Sequence, residues 1–431
     1  MSDLTLALVA FPVLLALIFL RLPIGLAMLL VGAAGTVLVT GSGAPMLAQL
    51  KSLTYTTFSS YALSIVPLFL LMSQFAMRGG LSAALFRAAA ALVGHRRGGV
   101  AMAAVGACGG FGAICGSSLA TAATMGQVAL PELRRYGYAP ALATGSLAAG
   151  GTLGILVPPS VVLVVYAILA EQNIAKLFVA ALVPSLLALC GYLLTIAVYV
   201  RLSPSSARPR PRSDGAERRR ALLEVWPVAA IFALVVGGIY AGWFTPTEGA
   251  AVGAAATFLA ATLRGGLGWS GLASAFTATA TSTAMIFFVV LGAAVFNGFL
   301  AFARLPQTAT AFVAERGLDP WFVLALILVA YLVLGCVMDS LSMILLTVPI
   351  VFPIVQTLEL GLSPEELALW FGVLVLVVVE VGLITPPVGL NLFVINSLAP
   401  DVPIAKTFKG VLPFVVSDVV RILVLLAVPA L

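Results

Sequence analysis

Two short runs of small polar residues interrupt long apolar segments of the chain. Gly116-Ser117-Ser118 lies in the first half of the sequence, and Asp339-Ser340-Leu341-Ser342 lies in the second. Main-chain carbonyls, hydroxyls and a carboxylate can bind a small cation, and the free N–H groups of a helix N-terminus can bind an anion. The residue types therefore predict a joint cation and anion site rather than a catalytic nucleophile with its base.

A second pair of interruptions follows the first at corresponding places. Gly154 begins the run GILVPPS and Gly382 begins the run GLITPPVG, so each half has a Pro-Pro pair inside an apolar segment. In both halves a serine of the polar run is followed by a proline thirteen residues later. Proline breaks a helix, and broken backbone deep in a membrane is tolerated where it is buried in protein or lines a wet cavity. The repeated pattern therefore predicts two functional breaks near the bilayer midplane.

These runs supply two overlapping sets of candidate residues. The polar side chains predicted to bind substrate are Ser117, Ser118, Thr121, Ser340, Ser342 and Asn391. The residues predicted to hold Na+ as the coupling ion are Gly116, Ser118, Gly154, Pro158, Gly335, Asp339, Thr385 and Pro386. Serine and threonine in membrane helices also bond to their own helix, so each single assignment competes with a packing role. Repetition of the pattern in both halves favours function.

Three further charged residues lie in apolar segments away from these runs. An acid inside a membrane costs about 2.5–3.5 kcal/mol even on a mild insertion scale, so it needs a partner. Asp418 and Arg421 are three residues apart on one predicted helix and are expected to pair with each other. We interpret Glu380 as an internal structural partner, and we assign no transport role to Asp418 and Arg421.

The elements that hold these residues must lie in lipid. The 431 residues are 62% hydrophobic and 9% charged, with a mean hydropathy of +1.17, whereas soluble chains are about a quarter charged. A bilayer core takes roughly 20 apolar residues per helical span, and such runs recur along the chain. The sequence therefore predicts an all-α polytopic membrane protein.

Several functions are excluded by what the sequence lacks. It contains no HExxH, GxSxG or GxxxxGK[ST] motif, and its four cysteines form no CxxC pair. The single histidine, His95, stands beside Arg96 and Arg97, which indicates a surface loop rather than a metal site. We therefore expect neither an enzyme nor a nucleotide hydrolase, and we expect no nucleic-acid partner.

The positions of the basic residues predict the orientation. Lys and Arg are retained on the cytoplasmic side, and residues 201–221 form an Arg-rich segment with interleaved Pro and Ser, interpreted as a flexible cytoplasmic linker. It separates a first inverted repeat, residues 1–200, from a second, residues 222–431. Residues 98–133 and 321–358 each begin and end on one side of the membrane. Each fits a re-entrant helical hairpin, although two full crossings remain possible for residues 98–133.

The predicted architecture is therefore an inverted-repeat membrane fold with about 10 spans plus two re-entrant helical hairpins. The expected spans are residues 4–20, 23–40, 60–77, 139–169, 177–200, 225–243, 249–263, 272–302, 367–395 and 411–431. Residues 81–93 are expected to lie along the inner face. The first span has no basic leader and no clear cleavage site, so we expect it to be retained.

In these motifs the chain resembles the large membrane subunit of tripartite ATP-independent periplasmic (TRAP) transporters. The matching patterns are a Gly-Ser-Ser tip with an Ala-Thr run at residues 116–121, a Leu-Gly-Ile-x-x-Pro-Pro-Ser stretch at 153–160, and Thr-Pro-Pro-x-Gly at 385–389. Weaker matches occur at residues 65–69 and 244–248. Each motif alone is weak, but their order and spacing extend over nearly the whole chain.

This resemblance implies a sodium-driven, elevator-type transporter that is multi-pass in the bacterial inner membrane, surrounded by membrane lipid. A periplasmic substrate-binding protein would deliver an organic anion of the carboxylate class. A small four-helix membrane subunit would associate with the chain as a separate polypeptide. One departure is Pro184-Ser185, where the family usually has Pro-Gly.

Two questions stay open at this point. Neither predicted tip has an arginine that could bind a carboxylate, so the sequence leaves the substrate undefined. A self-sufficient sodium–carboxylate symporter that works without a binding protein is the alternative function.

Overall fold

The computed structural model describes residues 2–429. Within that range it contains nineteen α-helices, two 3-10 turns and no strand. The helices are α1 (Asp3–Phe19), α2 (Ile24–Thr40), α3 (Ala44–Phe58), α4 (Ile65–Arg78), α5 (Leu81–Val93), α6 (Gly99–Cys115), α7 (Ser118–Arg135), α8 (Pro140–Leu156), α9 (Val161–Leu169), α10 (Ile174–Leu202), α11 (Gly215–Tyr240), α12 (Pro246–Leu263), α13 (Trp269–Phe302), α14 (Leu305–Glu315), α15 (Pro320–Gly335), α16 (Ser340–Val355), α17 (Pro364–Ile384), α18 (Leu390–Leu398) and α19 (Ile404–Ala427).

Helix length and composition fit a membrane environment. Across residues 2–429, five helices are individually long and apolar enough to cross a bilayer, namely α10, α11, α13, α17 and α19. Two bent pairs raise that number to seven: α3 with Ala62–Arg78, bent by 55°, and α8 with α9, bent by 45°. Helices α1 and α2 have 17 residues each, which is the lower limit for a span. The chain is a multi-pass membrane protein.

Polar caps explain why several helices begin before the spans expected from hydropathy. Helix α12 starts with a capping box in which the Thr245 side chain accepts from Glu248 N and the Glu248 carboxylate accepts from Thr245 N at 2.7 Å. Ser363 and Glu366 form the same box at the start of α17. Capping residues are polar because they satisfy free N–H groups of the first turn. A hydropathy window starts at the first apolar residue and misses them.

Two helices were not predicted, and the linker is shorter than expected. Helix α3 and helix α14 occupy stretches for which the sequence predicts connections. Helix α10 continues to Leu202 and α11 begins at Gly215, so helix extends into both ends of residues 201–221. The remaining segment is held by backbone hydrogen bonds: Ala139 N donates to Ser206 O at 2.8 Å, and Arg210 N donates to Gly94 O at 2.9 Å. The segment between α10 and α11 is therefore ordered and lies against the first repeat.

Helices from both halves of the sequence mix in space. In one group, α2 packs against α13 and α4 packs against α12. In the other group, α8 is the centre, and it packs against α6, α7, α10, α17, α18 and α19. Helices α8 and α17 are almost wholly buried, whereas α11, α12 and α13 keep many exposed apolar side chains. We call the first set the outer group and the set around α8 the inner group.

Candidate functional site

The first polar run forms a turn between two helices. Helix α6 ends at Cys115, Gly116 adopts a left-handed conformation with φ of 63°, and Ser117 is the N-cap of α7, its side chain accepting from Ala120 N at 3.4 Å. Left-handed backbone carries little strain for glycine. A Cβ at Gly116 would lie 3.2 Å from Pro159 O and 3.3 Å from Val161 N. We call residues 116–118 the first tip; it packs directly against the first Pro-Pro break.

That break separates α8 from α9. The peptide bond Pro158-Pro159 is cis, and Ser160 is the N-cap of α9. Gly154, one turn before the break, lies so close to the first tip that a Cβ there would be 2.6 Å from Ser117 O and would also overlap Thr121 Oγ1. The Thr121 hydroxyl is fully buried and has no hydrogen-bond partner among the described residues. The unpaired Thr121 hydroxyl therefore lies where the first tip crosses α8.

The second half repeats this arrangement. Asp339 is the N-cap of α16, and its Oδ2 accepts from Ser342 N at 3.1 Å. We call residues 336–342 the second tip. Its main chain contacts the second break directly, because Gly389 N donates to Cys336 O at 3.2 Å. A Cβ at Gly382 would lie 2.7 Å from Gly335 Cα. Each tip thus packs on the broken helix of its own half.

The second break runs from Thr385 to Gly389, between α17 and α18. Its Pro386-Pro387 bond is cis, and Gly389 has a φ of 66°. The Thr385 hydroxyl donates to Val381 O of its own helix at 2.5 Å. The half-helices beyond the breaks are exchanged between the repeats: α9 packs on α16, and α18 packs on α7 and α8.

Both tips face one cavity of about 270 Å³. The predicted residues among its lining are Gly116, Ser117, Ser118, Asp339, Ser340 and Ser342. Val161 and Val162 at the start of α9 also line it, so three helix N-termini converge there. A helix N-terminus carries roughly half a positive charge and free N–H groups. None of the lining residues is Lys or Arg, so these N-termini are the groups in the lining that favour an anion, whereas the Asp339 carboxylate favours a cation.

The other predicted residues lie behind the tips rather than on the cavity lining. Thr121, Gly154 and Pro158 form one cluster behind the first tip, and Gly335, Thr385 and Pro386 lie at the second tip and break. Asn391, on α18, is fully buried and donates from Nδ2 to Ala148 O at 3.3 Å, while its Oδ1 has no partner among the described residues. Its assignment to the substrate remains a prediction, as do those of the Na+ set.

The opposite wall of the cavity is not predicted from the sequence. Leu70 of α4 and Ser282, Met285, Ile286 and Val289 of α13 complete the lining. Five of the seven residues 277–283 are Ser or Thr, a polar run in a 34-residue helix that could have drawn attention to Ser282. Because α4 and α13 belong to the outer group, the cavity lies between the outer and inner groups.

The chemistry of the cavity is that of binding. Asp339, half-buried, is the one ionisable residue in the lining, and its neighbours are hydroxyls, main-chain groups and apolar side chains. Residues 2–429 contain no group of three or more His, Cys, Asp or Glu placed to hold a metal ion. Any cation there would depend on carbonyl and hydroxyl oxygens and on the single carboxylate of Asp339.

The predicted pairing of Asp418 with Arg421 is confirmed. Arg421 Nη2 lies 3.0 Å from Asp418 Oδ1 and 3.4 Å from Glu380 Oε2, and the side chains of all three residues are at most 4% exposed. Glu380 therefore has the internal partner that its burial required.

Broken helices, exchanged half-helices and a cavity lined by both tips between two helix groups define a multi-pass membrane transporter. The chain belongs to the family described as the DctM component of tripartite ATP-independent periplasmic transporters, whose model matches residues 11–431. It is accordingly a TRAP transporter large permease.

Two relatives and one solved structure illustrate the likeness. The chain is 39% identical to the C4-dicarboxylate TRAP transporter large permease protein DctM of Pseudomonas aeruginosa, over 87% of this chain and 86% of that protein. It is 31% identical to the sialic acid TRAP transporter large permease protein SiaM of Vibrio cholerae, over 93% and 92%. The YdaH transporter of Alcanivorax borkumensis shares the fold, with a TM-score of 0.61, 17% identity and 88% coverage of each chain.

Proposed function

We propose that this permease imports an organic anion, a carboxylate, by sodium-coupled elevator transport across the bacterial inner membrane. A periplasmic binding protein delivers the substrate, and a small membrane subunit accompanies the permease as a separate chain. Support for the partners comes from the tripartite family to which the chain belongs. The names of its relatives, which include a dicarboxylate and a sialic acid permease, support an organic anion.

The observation that carries the proposal is the single cavity lined by both tips. The N-termini of α7, α9 and α16 face it, and their partial positive charges favour a carboxylate. Behind each tip, main-chain carbonyls and the Thr385 hydroxyl supply oxygens for Na+. Thr121, predicted from the sequence to bind substrate, lies behind the first tip and off the cavity lining, so we propose that its hydroxyl serves Na+ instead. Because these Na+ sites would lie next to the tips that bind the anion, binding of Na+ and binding of the anion would be coupled.

The position of the cavity supports an elevator movement. The first tip belongs to the inner group, and the second tip is joined to that group where Gly389 N, after α17, donates to Cys336 O, while Leu70 and the α13 residues of the opposite wall belong to the outer group. If the inner group and the second tip slide along this mostly apolar wall as one body, both tips and both breaks move with the substrate. Alternating access then needs no rearrangement inside the binding site.

Reconstituted uptake tests the proposal. Proteoliposomes with the permease, its small subunit and its binding protein should accumulate substrate only under an inward sodium gradient. Asp339→Asn and Ser118→Ala should reduce sodium-dependent uptake without loss of folded protein. Normal sodium dependence in both variants would contradict the site. Undiminished uptake by the permease alone would favour the self-sufficient symporter.

Two matched control variants distinguish the loss of a polar group in the cavity from the loss of a similar group elsewhere in the protein. Asp319 caps α15 as Asp339 caps α16, with Oδ1 accepting from Phe322 N at 2.9 Å, but it is exposed. Asp319→Asn therefore repeats the loss of a capping charge outside the cavity and should leave uptake unchanged. Ser397→Ala, which removes an exposed hydroxyl bonded to Val394 O, controls for Ser118→Ala.

A further inference from the structure

A buried polar chain joins the two broken helices, and none of its residues lines the cavity between the tips. It runs from Thr152 on α8 through Tyr192 on α10 to Asp418 and Arg421 on α19 and ends at Glu380 on α17. Arg421 is 5% exposed and the other four residues are fully buried. The Tyr192 hydroxyl donates to Asp418 Oδ2 at 2.8 Å and lies 3.0 Å from Thr152 Oγ1.

The ends of this chain occupy equivalent positions in the two repeats. Thr152 stands two residues before Gly154, and Glu380 stands two residues before Gly382. The sequence Ile-Ala-Lys likewise begins both α10 and α19. The chain therefore connects the same point of each broken helix, about half a turn from the glycine at which each tip crosses it.

The two acids of the chain have unequal partners. Asp418 Oδ2 accepts a hydrogen bond from the Tyr192 hydroxyl at 2.8 Å. Asp418 Oδ1 lies 3.0 Å from Arg421 Nη2, which is an ion-pair distance, although the angle of that N–H is too poor for a hydrogen bond. Glu380 Oε2 accepts one long hydrogen bond, from Arg421 Nη2 at 3.4 Å, and Glu380 Oε1 has no partner among the described residues. Asp418 is thus the better stabilised anion.

The surroundings offer no second cation for Glu380. Of the helices packed against α17, α10 presents Tyr192, α19 presents Asp418 and Arg421, α9 presents Tyr166, and α15 presents Tyr331; α8, α16 and α18 contain no ionisable residue. The hydroxyl of Tyr166 donates to Ala368 O, and that of Tyr331 is 2.7 Å from Thr347 Oγ1. Two ionised acids beside one guanidinium would leave one uncompensated buried charge, which is strongly unfavourable.

We propose that Glu380 carries a proton in the folded permease, so that the Glu380–Arg421–Asp418 cluster is neutral and works as a proton-binding site that holds the two broken helices together. This inference goes beyond the proposed function, because it involves neither substrate nor sodium. The proton sits on the partnerless Oε1 of Glu380. When the proton leaves at alkaline pH, the buried negative charge loosens α17 from α19, and transport falls.

Two amide substitutions test the assignment, because each removes one ionisable acid with little change in shape. Glu380→Gln has the charge of the protonated acid, so the variant should fold and transport within about twofold of the wild type at neutral pH. It should also lose the wild-type decline of uptake at alkaline pH, which a purely structural role would not change. Asp418→Asn leaves Glu380 as the one acid beside Arg421, so Glu380 should give up its proton to the solvent and pair with the guanidinium. Glu380→Gln combined with Asp418→Asn leaves Arg421 without an anion and should lower folded yield about tenfold or more.

A control without buried charge keeps the test decisive. Adding Arg421→Met to Glu380→Gln with Asp418→Asn removes the unpaired cation and should recover folded protein, because the loss in the double amide variant comes from charge and not from shape. Full folded yield in the double amide variant, an unfolded or inactive Glu380→Gln, or a pH profile unchanged by Glu380→Gln would overturn the proposal.

Folded yield and thermal unfolding are measured on the purified permease, without substrate or sodium gradient. A wild type that transports without sodium would therefore refute the proposed function and leave the protonation of Glu380 to be decided by these variants.

Discussion

The contact between the first tip and its broken helix gives a quantitative prediction for Gly154→Ala. The added Cβ would lie 2.6 Å from Ser117 O, whereas ordinary contact begins at 3.4 Å, so tip and helix must separate by 3.4 − 2.6, or about 0.8 Å. Thr121 cannot move aside because it is fully buried in the same crossing. A binding site tolerates displacement of only about 0.5 Å. The substitution should therefore distort the proposed ion site.

The expected size follows from the cost of overpacking. An extra methyl in a tightly packed core costs about 1–3 kcal/mol, and each 1.4 kcal/mol is tenfold in an equilibrium constant. If the strain falls on the sodium-bound state, the sodium concentration that gives half-maximal uptake should rise by about 5-fold to about 140-fold. Gly382→Ala should act in the same way, because its Cβ would lie 2.7 Å from Gly335 Cα.

The assay is a sodium titration of uptake and of thermal unfolding, with choline replacing sodium at constant ionic strength. Gly106→Ala is the matched control, because Gly106 lies in α6 and a Cβ there meets no atom within 4 Å. Alanine in a helix interior also stabilises a protein by roughly 0.5–1 kcal/mol relative to glycine, and the control variant measures that stabilisation. If Gly154→Ala and Gly382→Ala both kept the wild-type sodium requirement, or if Gly106→Ala raised it equally, the reasoning would be refuted.

Three further predictions concern the rest of the molecule. Tyr192→Phe leaves a buried carboxylate oxygen without its donor and should destabilise the permease by about 1–3 kcal/mol, whereas Tyr55→Phe, on an exposed ring, should leave the unfolding midpoint unchanged. Trypsin should cut the exposed bond after Arg212 in inside-out vesicles and not in right-side-out vesicles, and the two preceding Arg-Pro bonds should resist; the reverse pattern would overturn the predicted orientation. The Arg87–Glu224 ion pair, with side chains 56% and 34% exposed, should contribute less than about 1 kcal/mol in a double-mutant cycle, and a larger coupling would contradict its exposure.

Local chemistry accounts for the features that were predicted correctly from the residues. Proline and glycine act on their own backbone, so the breaks after α8 and α17 could be located without knowledge of their neighbours. The spacing of Asp418 and Arg421 on one helix face made their pairing predictable for the same reason. Capping residues escaped the hydropathy pattern because they are polar, so the starts of α12 and α17 were placed too late.

Contacts between distant segments account for what was missed. Ser282 and Asn391 look alike in the sequence, as polar residues in apolar helices, yet one lines the cavity and the other is buried between α18 and α8. Residues 201–221 looked flexible, but hydrogen bonds to Gly94 and Ala139 order part of them.

The sequence by itself determined the membrane environment, the two polar runs and the places where the helices break, because each depends on the residues present at that position. Only the tertiary structure decided that both tips share one cavity, that the half-helices beyond the breaks are exchanged, and that Glu380 has a single long contact to Arg421. Periodicity shows which face of a helix is covered, but the helix that covers it is selected by packing across the whole chain.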